Sequence, residues 1–192
     1  MEEAHSDLRV ARTRKAIRDA FCEMVMEKEA SRITVKELAE RAGIHRKTFY
    51  LHYTTIEALY EDVLGDISSA YCRKIDKIPK DAPFHEVNEV FFRFFAAQPP
   101  YVEKLICDPS YRDFAEKLFL ATKVHNRSRY NPYAAYSEKA QNIINTFLCL
   151  GSVNVYRQWV RDGKALPLEE LIALTDDLFE HGVARIREQA GT

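Results

Sequence analysis

Apolar side chains return every three or four positions along almost all of the 192 residues, and no stretch alternates strictly between apolar and polar. That spacing fits the 3.6-residue turn of a helix and not the two-residue pleat of a strand, so an all-α chain is predicted. Ile17, Ala20, Phe21, Met24 and Val25 form the inward stripe of a first helix over residues 9–28. Its early turns carry Arg9, Arg12, Lys15 and Arg18. Cations at a helix start oppose the macrodipole, so an external anion would relieve them. Residues 1–54 hold eleven Lys and Arg against nine Asp and Glu, a local net charge of +2 in a chain whose total is −1. Positive charge gathered at one end of a near-neutral chain is a footprint for phosphate when the cations share a face.

The run Thr34-Val35-Lys36-Glu37 has capping-box spacing: the Thr34 hydroxyl can accept from the amide of residue 37, and Glu37 can reach back to the amide of residue 34. A short second helix starts there, with Val35, Leu38, Ala39 and Ala42 inward, and Gly43 ends it in a left-handed conformation. A third helix follows at once, through "AGIHRKTFYLHY" at residues 42–53. Two short helices joined by a glycine turn are a helix-turn-helix, whose second helix offers its first residues to the DNA major groove. Arg46 and Lys47 can donate to guanine O6 and N7, Thr48 can touch a thymine methyl or a phosphate, and Tyr50 and His52 can donate to phosphate oxygens. Phe49 and Tyr53 lie four apart and form the side that packs inward.

Beyond residue 54 the composition shifts. Helices are expected over about 55–74, from Phe84 to before Pro99-Pro100, over 100–107 and 109–125, and over about 137–161 and 168–188. The polar segment "NRSRYNPYAAYS" reads as a long loop. This divides the chain into a helix-turn-helix domain at residues 8–54 and a regulatory domain at 55–192. Cys22, Cys72, Cys107 and Cys149 are far apart and without a C-x-x-C pair, which points to buried free thiols rather than a disulfide framework or a metal knuckle. No apolar stretch approaches membrane-spanning length and the start "MEEAHSD" is acidic and polar, so a cytoplasmic protein is expected, without membrane association. His85-Glu86 with Glu89 is not a metalloprotease motif, the six histidines do not cluster, and no glycine-rich phosphate loop occurs. Neither catalysis, nor a metal, nor a cofactor is expected.

Val10 to Leu64, above all "TRKAIRDAF", "ITVKELAERAGIHRKTFYLHY" and "EALYEDVL", resembles the N-terminal domain of TetR/AcrR-family transcriptional regulators. The tail "GSVNVYRQWVRDGKALPLEELIALTDDLFEHG" is similar to the C-terminal domain of a Firmicutes-type branch of that family. The resemblance implies operator contacts from Lys36, from Arg46, Lys47 and Thr48, and from Tyr50, Leu51 and His52, with Thr34 holding a phosphate. Arg12 and Lys15 add phosphate contacts from the first helix. The chain departs from the family at His45, where a small polar cap is usual, and at Ile56, where a lysine is usual. Backbone amides near Thr54 and Thr55 are then expected to hold the phosphate that the lysine would.

The resemblance further implies a small-molecule effector, apolar or amphipathic, in a pocket lined by Phe91, Phe95, Phe114 and Phe147. Ile144, Leu148, Gly151, Val155 and Trp159 form a stripe on one terminal helix, and Leu171, Thr175, Leu178, Gly182 and Ile186 one on the other, each with a glycine near its middle. A missing side chain lets helix axes approach, which predicts a homodimer joined through these stripes in a four-helix bundle. The expected function is that of a ligand-released repressor binding double-stranded DNA at a palindromic operator. The alternative is a relative that has lost operator binding and acts as a coregulator through protein contacts.

Overall fold

The computed structural model describes residues 2–80, 82–129 and 133–190, and within them every regular element is helical. The α-helices are α1 (Glu2–Glu27), α2 (Val35–Arg41), α3 (Arg46–His52), α4 (Ile56–Ile75), α5 (Phe84–Ala96), α6 (Pro100–Cys107), α7 (Arg112–Arg129), α8 (Glu138–Arg161) and α9 (Leu168–Ala190). Short 3-10 turns at Ala30–Arg32 and Pro109–Tyr111 precede α2 and α7. No helix among the described residues is long and apolar enough to cross a membrane.

The first compact unit comprises the chain up to Ile67 together with Pro99–Glu116. It therefore reaches past the expected cut after residue 54 and recruits a later segment. The recruitment has local causes. Lys104 of α6 donates to the Met26 carbonyl at 3.1 Å, and Tyr111 donates to the Lys28 carbonyl at 2.6 Å. Ile17, Phe21, Met24 and Val25 of α1 are buried with Leu38 of α2, Phe49 of α3 and Leu59 and Val63 of α4. Phe21 meets Tyr60 edge-on at 4.6 Å, and Tyr60 stacks on Phe114 at 4.0 Å.

The helix α1 begins at Glu2, about two turns ahead of residue 9. Arg9, Arg12, Lys15 and Arg18 therefore sit in its middle turns, where the end charges of a helix no longer act. No helix-end charge therefore calls for an anion beside them; Arg9, Arg12 and Lys15 are exposed, and Arg18 is half-buried.

The second unit comprises Ser68–Gln98 and the chain from Lys117 onward. Its core gathers Tyr71, Phe91, Phe92, Phe95, Phe119, Val153, Tyr156 and Leu171. Tyr156 donates to the Phe95 carbonyl at 3.1 Å and Trp159 to the Leu166 carbonyl at 2.7 Å, so both aromatic polar tips are satisfied as they are buried. The helix α7 continues through the start of the segment read as a loop, because Arg127 docks on Gln141 and Asn142 of α8. Residues 130–132 of that segment lie outside the described residues. The four cysteines are half-buried rather than buried, and no disulfide joins them.

Candidate nucleic-acid interface

The site is built on α2, the turn and α3. Thr34 caps α2 by accepting from the Glu37 amide at 3.3 Å. The Glu37 carboxylate pairs with Lys28, the residue after α1, so its half of the capping box is replaced by a tie to the end of that helix. Gly43 has φ +66°, and the Ile44 amide bonds the Ala39 carbonyl at 2.9 Å while the Gly43 amide bonds the Glu40 carbonyl at 3.2 Å. That pair of bonds is a Schellman closure, which needs the left-handed residue that glycine supplies. Arg41 forks onto both oxygens of Glu27 at 2.7 Å and clamps the end of α2 to α1.

His45 takes the cap position of α3 in extended conformation and makes no side-chain cap, as its chemistry predicts. Phe49 is fully buried and locks α3 inward. The far end of α3 is held by Tyr53, whose hydroxyl accepts from Arg14 at 3.1 Å and donates to Asp62 at 2.7 Å. Asp62 also pairs with Arg14 at 2.5 Å and Arg18 at 2.8 Å, and Arg18 reaches Asp66 at 2.5 Å. Burial alone would push the Asp62 carboxyl up, but the Tyr53 hydroxyl and the two guanidiniums hold it below its ordinary value. Burial, followed by the Asp62 contact, raises the Tyr53 phenol. Arg14 and Arg18 are thus structural cations, which sequence reading did not separate from the others.

What is left facing out is the remainder of α3. Arg46, Lys47, Tyr50 and Leu51 are exposed, and Thr48 and His52 are half-exposed. Arg46 lies over the Tyr50 ring, 5.7 Å from its centre, and donates to its hydroxyl at 3.2 Å. Leu51 is 83% exposed. Thr34 and Lys36 are exposed at the start of α2. On α1, Arg12 is exposed, and Lys15 is exposed but paired with Asp19 at 2.5 Å. A cleft between Arg9 and Thr13 of α1 and His45 and Thr48 places Arg9, one of the cations noted on the first helix, on this face. At the start of α4, the Thr55 hydroxyl accepts the Ala58 amide at 3.2 Å.

The other expected sites are rearranged. A cavity in the second unit holds about 620 Å³ of empty space counted to its open mouth, and Phe91 lines it. The remaining three phenylalanines do not. Phe95 is buried in the core, Phe114 belongs to the first unit on Tyr60, and Phe147 is 60% exposed with its ring edge-on to Phe179.

The residues of the terminal stripes do not share one exposed face. Trp159 and Leu171 are buried within the unit, Leu148 lines the cavity, and Ile144, Val155 and Leu178 are half-buried. Gly151 receives the Phe179 ring, whose carbons would stand 2.8 and 2.9 Å from an added Cβ. Gly182 has φ 67° and ψ −172°, a nearly glycine-specific conformation that breaks α9 rather than opening a close approach. The side chain of Ile186 lies outside the described residues. The apolar residues that α8 does expose are Ile143, Phe147 and Leu150, one position round from the expected stripe.

A short helix offering cations and one bare leucine on a glycine turn, backed by a buried aromatic, defines the helix-turn-helix class. Residues 17–63 match the family model for bacterial regulatory proteins of the tetR family. An uncharacterised HTH-type transcriptional regulator of Bacillus subtilis (strain 168), YxbF, is 36% identical over 64 residues, 33% of this chain. The match spans only 17% of that relative's length. A TetR transcriptional regulator from Streptococcus agalactiae aligns over 90% of this chain and 96% of its own, with a TM-score of 0.65 and 20% identity. The transcriptional regulator FadR from Bacillus subtilis, solved in complex with stearoyl-CoA, aligns over 88% of this chain and 98% of its own, with a TM-score of 0.65 and 15% identity. With both structures the likeness is one of fold.

Proposed function

We propose that this chain is a ligand-responsive repressor that binds a palindromic operator in double-stranded DNA as a homodimer in the cytoplasm. The observation that carries the reading is the division of α3 into a buried Phe49 and an outward set of Arg46, Lys47, Tyr50 and Leu51. Arg46 and Lys47 read base edges, and Leu51 meets a thymine methyl or a sugar, which gives so exposed a leucine a partner. Thr34, Lys36, Thr48, His52, Arg12 and Lys15 hold phosphates and set the register. Lys15 does so by leaving Asp19, an exposed pair of little energetic consequence.

The exposed Ile143, Phe147 and Leu150 form the dimer face. An effector enters the cavity beside Phe91 and binds one conformation of the protein better than the other. Operator affinity then changes by the same coupling, about 1–3 kcal/mol, by which operator changes effector affinity. The test is a gel shift with duplex from upstream of the protein's own coding region. A shift that Arg46→Ala abolishes supports the reading; no shift at low salt with a folded dimer leaves a coregulator acting through protein contacts.

A further inference from the structure

The cavity of the second unit is ringed by asparagines whose amide nitrogens are already engaged. Asn88 of α5 is 1% exposed. Its Nδ2 donates to the Thr175 hydroxyl at 3.0 Å and to Asp176 at 2.7 Å, and the carboxylate fixes which way the amide faces. Thr175 turns its own single hydrogen to the Leu171 and Ile172 carbonyls, so it can only accept from Asn88. The Asn88 Oδ1 is left with Ser152 at 3.5 Å, while the one Ser152 hydrogen has the Leu148 carbonyl nearer at 3.0 Å.

Asn126 of α7 repeats the arrangement: its Nδ2 donates to Tyr71 at 3.2 Å, and its buried Oδ1 has no hydrogen-bond partner. Asn145 of α8 gives its Nδ2 to the Gln141 carbonyl at 2.8 Å. All three asparagines line the same cavity, together with Lys123, whose ammonium donates to Thr146 at 2.6 Å.

Buried acceptors left unpaired are costly, and a bound molecule that supplies donors removes that cost. The Asn126 Oδ1, which has no partner, and the Asn88 Oδ1, which has only the long Ser152 bond, disfavour an anion, and the Lys123 ammonium disfavours a cation. Phe91 and Leu148 supply apolar wall. From this arrangement we infer that the effector site takes a compact, uncharged molecule with at least two hydrogen-bond donors on an apolar body, such as a small phenol or diol. The inference rests on the proposed effector role of this cavity and sharpens it to a chemical class. The cavity offers about 620 Å³ of empty space counted to its open mouth, so a small ring fits against the asparagines and any longer part of the molecule lies in the mouth.

The test is calorimetric titration of the full-length protein with three ring compounds of similar size: resorcinol, benzoate and toluene. Resorcinol should bind about tenfold or more tighter than the other two, the discrimination a buried hydrogen-bonding group confers. Asn126→Leu and, on a different helix, Asn145→Leu should each remove most of that preference, and Lys123→Met should leave it. Equal or tighter binding of benzoate or toluene overturns the inference, as does binding indifferent to both asparagine variants, or no binding by any probe. Operator release is followed in parallel. Benzoate binding that releases operator leaves the regulatory reading standing and removes only the chemical class. Resorcinol binding without any change in operator affinity keeps the class and removes the regulatory reading.

Discussion

Arg46 and Lys47 differ in how they are held: Arg46 rests on the Tyr50 ring, while Lys47 is exposed beside it on the same helix. Arg46→Ala and Lys47→Ala should each weaken operator binding by about 1–3 kcal/mol, with relaxed base preference where the contact is to a base edge. Quantitative gel shifts check this, and unchanged affinity in both folded variants refutes the assignment. Arg12→Ala should instead weaken all duplexes alike and lower the salt slope by about 1. At this scale much was legible in the sequence. The Thr34 cap, the Gly43 turn and the inward Phe49 follow from residue type and spacing. Which arginines are spoken for was not legible, because Arg14 and Arg18 meet Asp62 from 48 and 44 residues away.

Among the elements, α3 keeps its angle through Tyr53 and Asp62, which tie its end to α1 and α4. Removing that carboxylate by Asp62→Ala should cost about 1–3 kcal/mol, since the Tyr53 phenol loses its acceptor, Arg14 keeps only the Tyr53 hydroxyl and Arg18 keeps only Asp66. The sign with pH follows from the lowered Asp62 value. Its contribution is complete above the ordinary aspartate value of about 3.9 and is lost as the pH falls through the lower folded value. Urea titrations across the acid range should show part of the wild-type decline missing in Asp62→Ala, and identical declines would contradict the network's role.

Gly151 makes a second element-level case. A Cβ there would strike the Phe179 ring. Gly151→Ala should therefore destabilise the protein by about 1–3 kcal/mol despite the better helix propensity of alanine, and a raised melting temperature would contradict this packing. The existence of α8 and α9 was plain from periodicity. The facing of α8 was not: apolar residues lie both on the side that lines the cavity and on the side carrying Ile143 and Phe147, so spacing alone could not say which side stays uncovered. Likewise a scatter of phenylalanines in sequence did not reveal that Phe114 folds with the first unit.

For the whole molecule, the two proposed faces must work together. If Ile143, Phe147 and Leu150 join two copies, Phe147→Glu buries an unpaired charge at the join. Sedimentation should then show a monomer at micromolar concentration, and a normal dimer moves the interface elsewhere. A dimer of helix-turn-helix units reads two half-sites about 34–36 Å apart, or a multiple of that, related by its own twofold axis. Selection of bound duplexes from a random pool examines this most directly. Recovery of an inverted repeat with that spacing, lost when Arg46 and Lys47 are both alanine, is the expected result. Recovery of no common sequence from a folded wild-type dimer at low salt would contradict operator binding itself.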